Sequence, residues 1–76
     1  MPMLFTMSVG DRARIVRVQE HALTVRMASM GIRPGAEVRL LARAASGGRV
    51  VRVGDARLTL GRDLACGVEV ELLHVQ

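Results

Sequence analysis

The chain has few residues that could form disulfides or stack on aromatic surfaces. Its 76 residues include one cysteine, one phenylalanine and no tryptophan or tyrosine. A single cysteine excludes an internal disulfide. A core without large rings must be filled by branched aliphatic side chains, which favours strands. The scarcity of aromatic residues also removes the platform on which the bases of single-stranded nucleic acids usually stack.

Long apolar runs are also absent. No stretch approaches the ~18 consecutive apolar residues that suggest a membrane-spanning helix, and the N-terminus lacks the basic start of a signal peptide. We therefore expect a cytoplasmic protein with no direct membrane insertion. Any membrane-linked role would then have to pass through a partner.

Lysine is missing, and all eleven basic residues are arginine. Against seven acidic residues they give a net charge of +4. This balance favours an anionic partner, such as nucleic acid, a nucleotide, a membrane surface or an acidic protein face. The arginines are spread along the chain rather than grouped in a block, which favours a solvated face over a nucleic-acid site.

Alternation of apolar and polar residues predicts five short strands. They are residues 12–18, 36–44, 49–53, 57–60 and 68–73. The alternation slips between Ile15 and Val18, which predicts a β-bulge or a strong bend there. Five strands in so short a chain cannot form a two-layer sandwich, but they can close into a small SH3-like barrel.

A hinge with a short helix is predicted between the first two strands. Gly31 can take the left-handed conformation that ends a helix, and Pro34 and Gly35 fit a type II turn. Gly47 and Gly48 fit a hairpin turn. The predicted fold is mainly β: a small SH3-like five-stranded barrel with one short helix after the first strand. Residues 1–7 are predicted to be a flexible N-terminal start, and residues 8–76 a single domain.

Together these motifs resemble the FeoA family, the ferrous iron transport protein A domain. The resemblance covers Ser8 to Leu73 and rests on Gly10, Met30-Gly31-Ile32, Pro34-Gly35, Arg39 to Arg43, Gly47-Gly48 and Ala65. It implies an SH3-like barrel that binds and modulates FeoB, the bacterial ferrous iron permease. The contact would be with either the cytosolic GTP-binding domain of FeoB or its membrane part. The resemblance implies an accessory role rather than transport itself. A similar domain forms the C-terminal part of some metal-dependent repressors. This sequence has no helix-turn-helix region, so it resembles the stand-alone form.

Signatures of catalysis and of metal binding are absent from the sequence. No serine, cysteine, histidine or aspartate falls in a known catalytic pattern, and no phosphate-binding glycine loop occurs. We therefore expect no enzymatic activity and no cofactor. His21, Cys66 and His74 are weak alternatives for a metal site, because no pair has a close ligand spacing such as CxxC.

A nucleic-acid-binding module is the alternative function class. The segment VGDRARIVRV loosely resembles a KOW-type opening, and an SH3-like KOW-type module would contact phosphates with its arginine-rich surface. The scarcity of aromatic residues and the outward Glu69 and Glu71 argue against this class, so nucleic acid is the disfavoured partner.

The predicted partner surface combines the helix and hinge with nearby strand residues. Leu41 motivates this choice, because it is an apolar residue predicted on the outer face between two arginines. The competing interpretation is that Leu41 packs under the helix. The candidate partner-binding residues are Leu23, Arg26, Met27, Met30, Arg33, Leu41 and Arg43. We also expect weak self-association through exposed strand edges.

Overall fold

The computed structural model describes residues 2–19 and 25–73, which contain five antiparallel strands and three short helical segments. The strands are β1 (Arg12–Val18), β2 (Glu37–Arg43), β3 (Arg49–Val53), β4 (Ala56–Leu60) and β5 (Val68–Leu73). The helical segments are a 3-10 turn (Leu4–Thr6), helix α1 (Val25–Ser29) and helix α2 (Arg62–Ala65). The prediction of a mainly β fold with one short helix after the first strand is confirmed.

All five strands belong to one sheet in the order β4-β3-β2-β1-β5. Strands β1 to β4 form a meander, and α2 connects β4 to β5, which returns beside β1. Within the described residues β4 and β5 do not pair, so the barrel that we predicted is open between these two strands. The pairing of β1 with β5 shifts register between Ile15 and Arg17, which confirms the predicted bulge.

The hydrophobic core lies on the inner face of the sheet, and every strand contributes to it. Strand residues that point inward are at most 8% exposed. They are Ala13, Ile15, Val38, Leu40, Val51, Val53, Leu60, Val68 and Val70. Because one cluster collects residues from all five strands, the sheet must curve around it. Met27 of α1 and Ile32 of the hinge complete the cluster from the helix side.

The N-terminal segment also packs into this core, in contrast to the flexible start that we predicted for residues 1–7. Leu4 is fully buried and Met7 is 2% exposed. The backbone N–H of Val70 donates to the carbonyl oxygen of Pro2 at 2.8 Å, and Met3 forms a β-bridge with Glu69. A small core without aromatic side chains needs these apolar residues. A 3-10 turn of three residues is too short to show a periodicity that would have predicted this packing.

Strand β2 contains a second bulge, which the sequence pattern did not indicate. Leu40 lies opposite Val51, and Ala42 lies opposite Val50, so Leu41 is the extra residue. The insertion breaks the inward–outward alternation. Ala42, which a regular alternation after Val38 and Leu40 would point inward, is therefore exposed, and Leu41 is half-buried.

The hinge, residues 30–36 between α1 and β2, leads the chain into β2 through a turn that is hydrogen-bonded to β1. The N–H of Ala36 donates to the carbonyl of Arg33 at 3.1 Å and closes the turn around Pro34 and Gly35. The N–H of Gly35 then donates to the carbonyl of Ile15, and the N–H of Ile15 donates to the carbonyl of Ala36, both at 2.8 Å. These two bonds fix the hinge relative to the sheet.

We predict that Gly31→Ala destabilises the protein more than Gly10→Ala does. Both glycines have a φ of +94°, where an alanine costs about 1–3 kcal/mol. A Cβ at Gly31 would lie 3.1 Å from Cγ1 of Val53, whereas a Cβ at Gly10 would meet no atom within 4 Å. Urea unfolding of both variants measures the difference. Equal losses of unfolding free energy would show that the Val53 side chain can move away from the new Cβ without destabilising the protein.

Candidate protein-binding surface around the hinge

A groove of about 660 Å³ lies between the hinge and the sheet. We call it the hinge groove. Met30, Gly31 and Val53 form its apolar part, and Arg33 and Arg52 supply positive charge at its side. The hinge occupies this position because Gly31 ends α1 and turns the chain along the sheet. An apolar floor beside charged side chains is typical of a surface that binds another protein.

A second groove, of about 500 Å³, lies between α1, β4 and α2. We call it the methionine groove, because Met27 and Met30 line it together with Leu58, Leu60 and Leu64. Met30, Leu58 and Leu64 are half-buried, so they keep apolar surface in contact with solvent. Methionine side chains adapt to irregular partners, because they are unbranched and flexible.

A third groove, of about 260 Å³, lies on the outer face of the sheet and is lined by Leu41, Arg52, Asp55 and Arg57. We call it the outer groove. It shares Arg52 with the hinge groove and Arg57 with the methionine groove, which in turn share Met30. The three grooves therefore adjoin one another around the turn between β3 and β4, and together they form the candidate surface.

The residues predicted to bind a partner are divided between this surface and other places. Met30 and Arg33 line the hinge groove, and Leu41 lines the outer groove. Met27 is 2% exposed and belongs mainly to the core. Arg43 lines none of the three grooves, and its Nη2 donates to the carbonyl oxygen of Met7 at 3.5 Å. Leu23 lies outside the described residues, and Arg26 belongs to α1.

Sequence reasoning missed many residues of the surface, among them Arg52, Arg57, Leu58 and Leu64. One signal was available for the two arginines. A two-residue turn at Gly54 and Asp55 fixes the pairing of β3 with β4, and this places Arg52 directly opposite Arg57. Leu64 carried no such signal, because its position depends on how α2 packs beside the sheet.

Ion pairs are concentrated on β1 and its neighbours. Arg12 pairs with Glu37 at 3.0 Å, Arg14 with Glu71 at 3.8 Å and Arg17 with Glu69 at 3.3 Å. Such exposed pairs contribute little to stability. The pairs matter more for the distribution of charge, because each one neutralises a carboxylate beside an arginine of β1. In the described part of the chain, the arginines of the grooves other than Arg12 form no ion pair and supply uncompensated positive charge.

The described residues contain no cluster of three or more metal-binding side chains. Within residues 2–19 and 25–73, no group of three histidine, cysteine, aspartate or glutamate residues could hold a metal ion. Cys66 is exposed directly after α2, whereas His21 and His74 lie outside the described part of the chain. No helix in that part has the length and apolar character needed to cross a bilayer.

The sequence of nearly the whole described chain is similar to that of a known domain family. The model of the FeoA domain matches residues 3–72. The chain belongs to the FeoA domain family. The resemblance predicted from the glycine and proline motifs is thus confirmed, and the match begins within the N-terminal segment that packs into the core. A comparison with curated proteins found no match.

Solved structures of FeoA proteins have the same fold. The chain is 31% identical to an iron uptake regulatory protein, FeoA, with 92% of this chain and 93% of that chain covered and a TM-score of 0.80. It is 31% identical to FeoA of Chlorobium tepidum, over 96% of this chain and 71% of that one, with a TM-score of 0.85. The FeoA domain also resembles part of a manganese-dependent transcriptional repressor, with 28% identity over 95% of this chain but 41% of the repressor and a TM-score of 0.84.

A zinc-bound relative supports the SH3-like description of the fold. FeoA of Stenotrophomonas maltophilia, solved in complex with zinc, is 28% identical over 93% of this chain and 91% of that one, with a TM-score of 0.76. It is described as a procaryotic SH3 domain protein and has been proposed as a ferrous iron transport activating factor. The FeoA domain described here is therefore an SH3-like domain of a family associated with iron transport.

Proposed function

We propose that this protein is a small cytosolic accessory factor of bacterial ferrous iron uptake, which binds the FeoB permease and modulates it through protein–protein contacts. The observation that carries the proposal is the group of three adjoining grooves around the hinge. Membership of the FeoA family supports the link to iron, and so does the activating role proposed for the S. maltophilia relative.

The chemistry of the surface suits binding rather than catalysis. Half-buried Met30, Leu58 and Leu64 can be desolvated by a partner, and the exposed Arg33 can contact polar groups around them. Interfaces usually combine such an apolar centre with a polar rim, in which arginine is enriched. The proposal therefore includes no enzymatic activity and no resident cofactor. Weak self-association through strand edges stays a prediction.

The test is a calorimetric titration with the cytosolic GTP-binding domain of the FeoB permease from the same source. We expect saturable binding at physiological salt, measured with GDP and with a non-hydrolysable GTP analogue. Arg33→Glu and Leu41→Asp should each weaken binding about tenfold or more, because each places a negative charge at a groove, and tenfold corresponds to about 1.4 kcal/mol. Arg62→Glu is the matched control, because Arg62 is exposed on α2 and lines none of the three grooves.

Two outcomes would contradict the proposal. Absence of binding both to the GTP-binding domain and to the intact permease in lipid nanodiscs would remove the accessory role. Tight binding to a short nucleic-acid duplex that persists at high salt would favour the KOW-type alternative, because nonspecific phosphate contacts weaken steeply as salt rises. If Arg62→Glu weakens permease binding as much as Arg33→Glu does, the contact surface lies outside the grooves.

A further inference from the structure

Four arginines form one row across the outer face of the sheet. Arg12 of β1 lies opposite Arg39 of β2. Arg39 lies opposite Arg52 of β3, and Arg52 lies opposite Arg57 of β4. Directly paired residues project from the same face of a sheet. We call this set the arginine row; with strands about 4.8 Å apart, it is about 14 Å long.

This arrangement is electrostatically unfavourable for the isolated protein, because like charges directly opposite each other destabilise a sheet. Arg12 is compensated by Glu37 at 3.0 Å. In the described part of the chain, Arg39, Arg52 and Arg57 form no ion pair.

The neighbouring row of the same sheet has the opposite pattern. There Arg14 lies between Glu37 on one side and Glu71 on the other, so charges of opposite sign face each other. The row of residues next to the arginine row therefore pairs opposite charges across the strands. The arginine row therefore stands out as a local concentration of like charge rather than the sheet's general pattern.

The row borders two of the grooves. Arg12, Arg39 and Arg52 line the hinge groove, and Arg52 and Arg57 line the outer groove. The hinge groove also contains apolar side chains and Glu37, which pairs with Arg12, and the outer groove contains Asp55. Because arginines outnumber carboxylates in both grooves, an incoming chain would meet a net positive charge beside an apolar floor. A segment lying along the row would need roughly four extended residues to cover it.

We propose that the arginine row binds a carboxylate-rich segment of a protein partner. A guanidinium group presents two parallel donors that match a carboxylate, and an acidic segment would remove the repulsion within the row. The inference depends on the proposed function for the identity of the partner and deepens it by naming the chemistry of the contact.

Nucleic acid fits this site less well than an acidic protein segment. Sequence-tolerant binding of single strands depends on aromatic side chains that stack on bases. Phe5 is the one aromatic residue of the chain, and the guanidinium groups of Arg49 and Arg62 lie 4.0 Å and 5.4 Å from its ring centroid. Among the described residues, no aromatic residue lines the two grooves beside the row, so the row offers contacts to phosphates but no surface on which bases could stack.

The first test is an NMR titration of the full chain with a peptide of alternating glutamate and glycine at physiological salt. We expect saturable shifts centred on the arginine row, and no shifts with the peptide in which glutamine replaces glutamate. The double variant Arg39→Gln/Arg52→Gln should bind about tenfold more weakly. The matched control Arg17→Gln/Arg62→Gln removes the same charge away from the row, and it should keep the affinity of the unmodified chain.

The second test measures thermal unfolding of the same two double variants at low and at high salt. Because the row repels itself, Arg39→Gln/Arg52→Gln should raise the unfolding midpoint at low salt, and the gain should shrink as salt screens the charges. The control should not gain stability, because Arg17 loses its ion pair with Glu69. A lower midpoint for the row variant would overturn the proposal, because the arginines would then stabilise the sheet themselves.

Two further results would overturn the proposal, and one separates it from the accessory role. Equal weakening of peptide binding in both double variants would mean that net charge alone attracts the peptide. Tighter binding of a single-stranded oligonucleotide with the same number of negative charges would identify nucleic acid as the occupant. Peptide binding at the row without permease binding would support the proposed site and contradict the accessory role. Permease binding without peptide binding at the row would support the accessory role and contradict the proposed site.

Discussion

Replacing Leu4 by alanine should reduce the free energy of unfolding by about 2–5 kcal/mol. Leu4 is fully buried, although it lies only three residues from the N-terminus, and its 3-10 turn packs beside β5 and α2. A chain of this length is expected to have a total stability of roughly 4–11 kcal/mol. Removing one N-terminal side chain would therefore cost a large part of the total.

Urea unfolding of Leu4→Ala and Val9→Ala tests this expectation. Val9 is the matched control, because it is an apolar residue from the same end of the chain but is 57% exposed. Its replacement should change stability by no more than about 0.5 kcal/mol. Similar midpoints for the two variants would mean that residues 2–7 add nothing to the core, and the sequence-based picture of a flexible start would then describe them better.

The strands were predictable because their inner positions carry branched aliphatic residues at a period of two. In β5, for example, Val68 and Val70 alternate with Glu69 and Glu71, and the structure buries both valines. The period fails where chain geometry departs from a regular strand. Leu41 is such a case: its outward position was read from an alternation that the bulge in β2 interrupts.

The candidate site was only partly predictable, because grooves and rows depend on how distant strands are aligned. Met30 and Arg33 could be predicted as neighbours, since both belong to one hinge. The pairing of Arg12 with Arg39 could not, because 26 residues, including α1 and the hinge, lie between them. The arginine row is therefore a property of the sheet register, and the spread of arginines along the sequence concealed it.

Arg49 is the second residue whose replacement should have a large effect on stability. It is 8% exposed, and its guanidinium lies 4.0 Å from the centroid of the Phe5 ring. Its Nε donates to the carbonyl oxygen of Phe5 at 3.2 Å, and its Nη1 donates to those of Gly47 and Gly48 at 3.0 Å and 3.1 Å. Carbonyl oxygens thus replace a carboxylate as the partners of a buried cation.

We expect Arg49→Met to lower the free energy of unfolding by about 2–4 kcal/mol, because it leaves backbone carbonyls without a donor and removes the contact with Phe5. Arg49→Lys should recover only part of this loss, since a single ammonium group cannot reach all three carbonyls. The control is Arg57→Met, because Arg57 is exposed and belongs to the arginine row, so its replacement should leave stability unchanged or slightly higher.

A double-mutant cycle distinguishes a local effect of Arg49 from a link between the hairpin turn and the N-terminal segment. If the guanidinium holds the segment through Phe5, the losses of Arg49→Met and Phe5→Leu should fall short of additivity by about 0.5–3 kcal/mol. Additive losses would mean that Arg49 stabilises only the turn at Gly47 and Gly48. Non-additive losses, together with a large effect of Leu4→Ala, would make residues 2–7 an integral part of the domain.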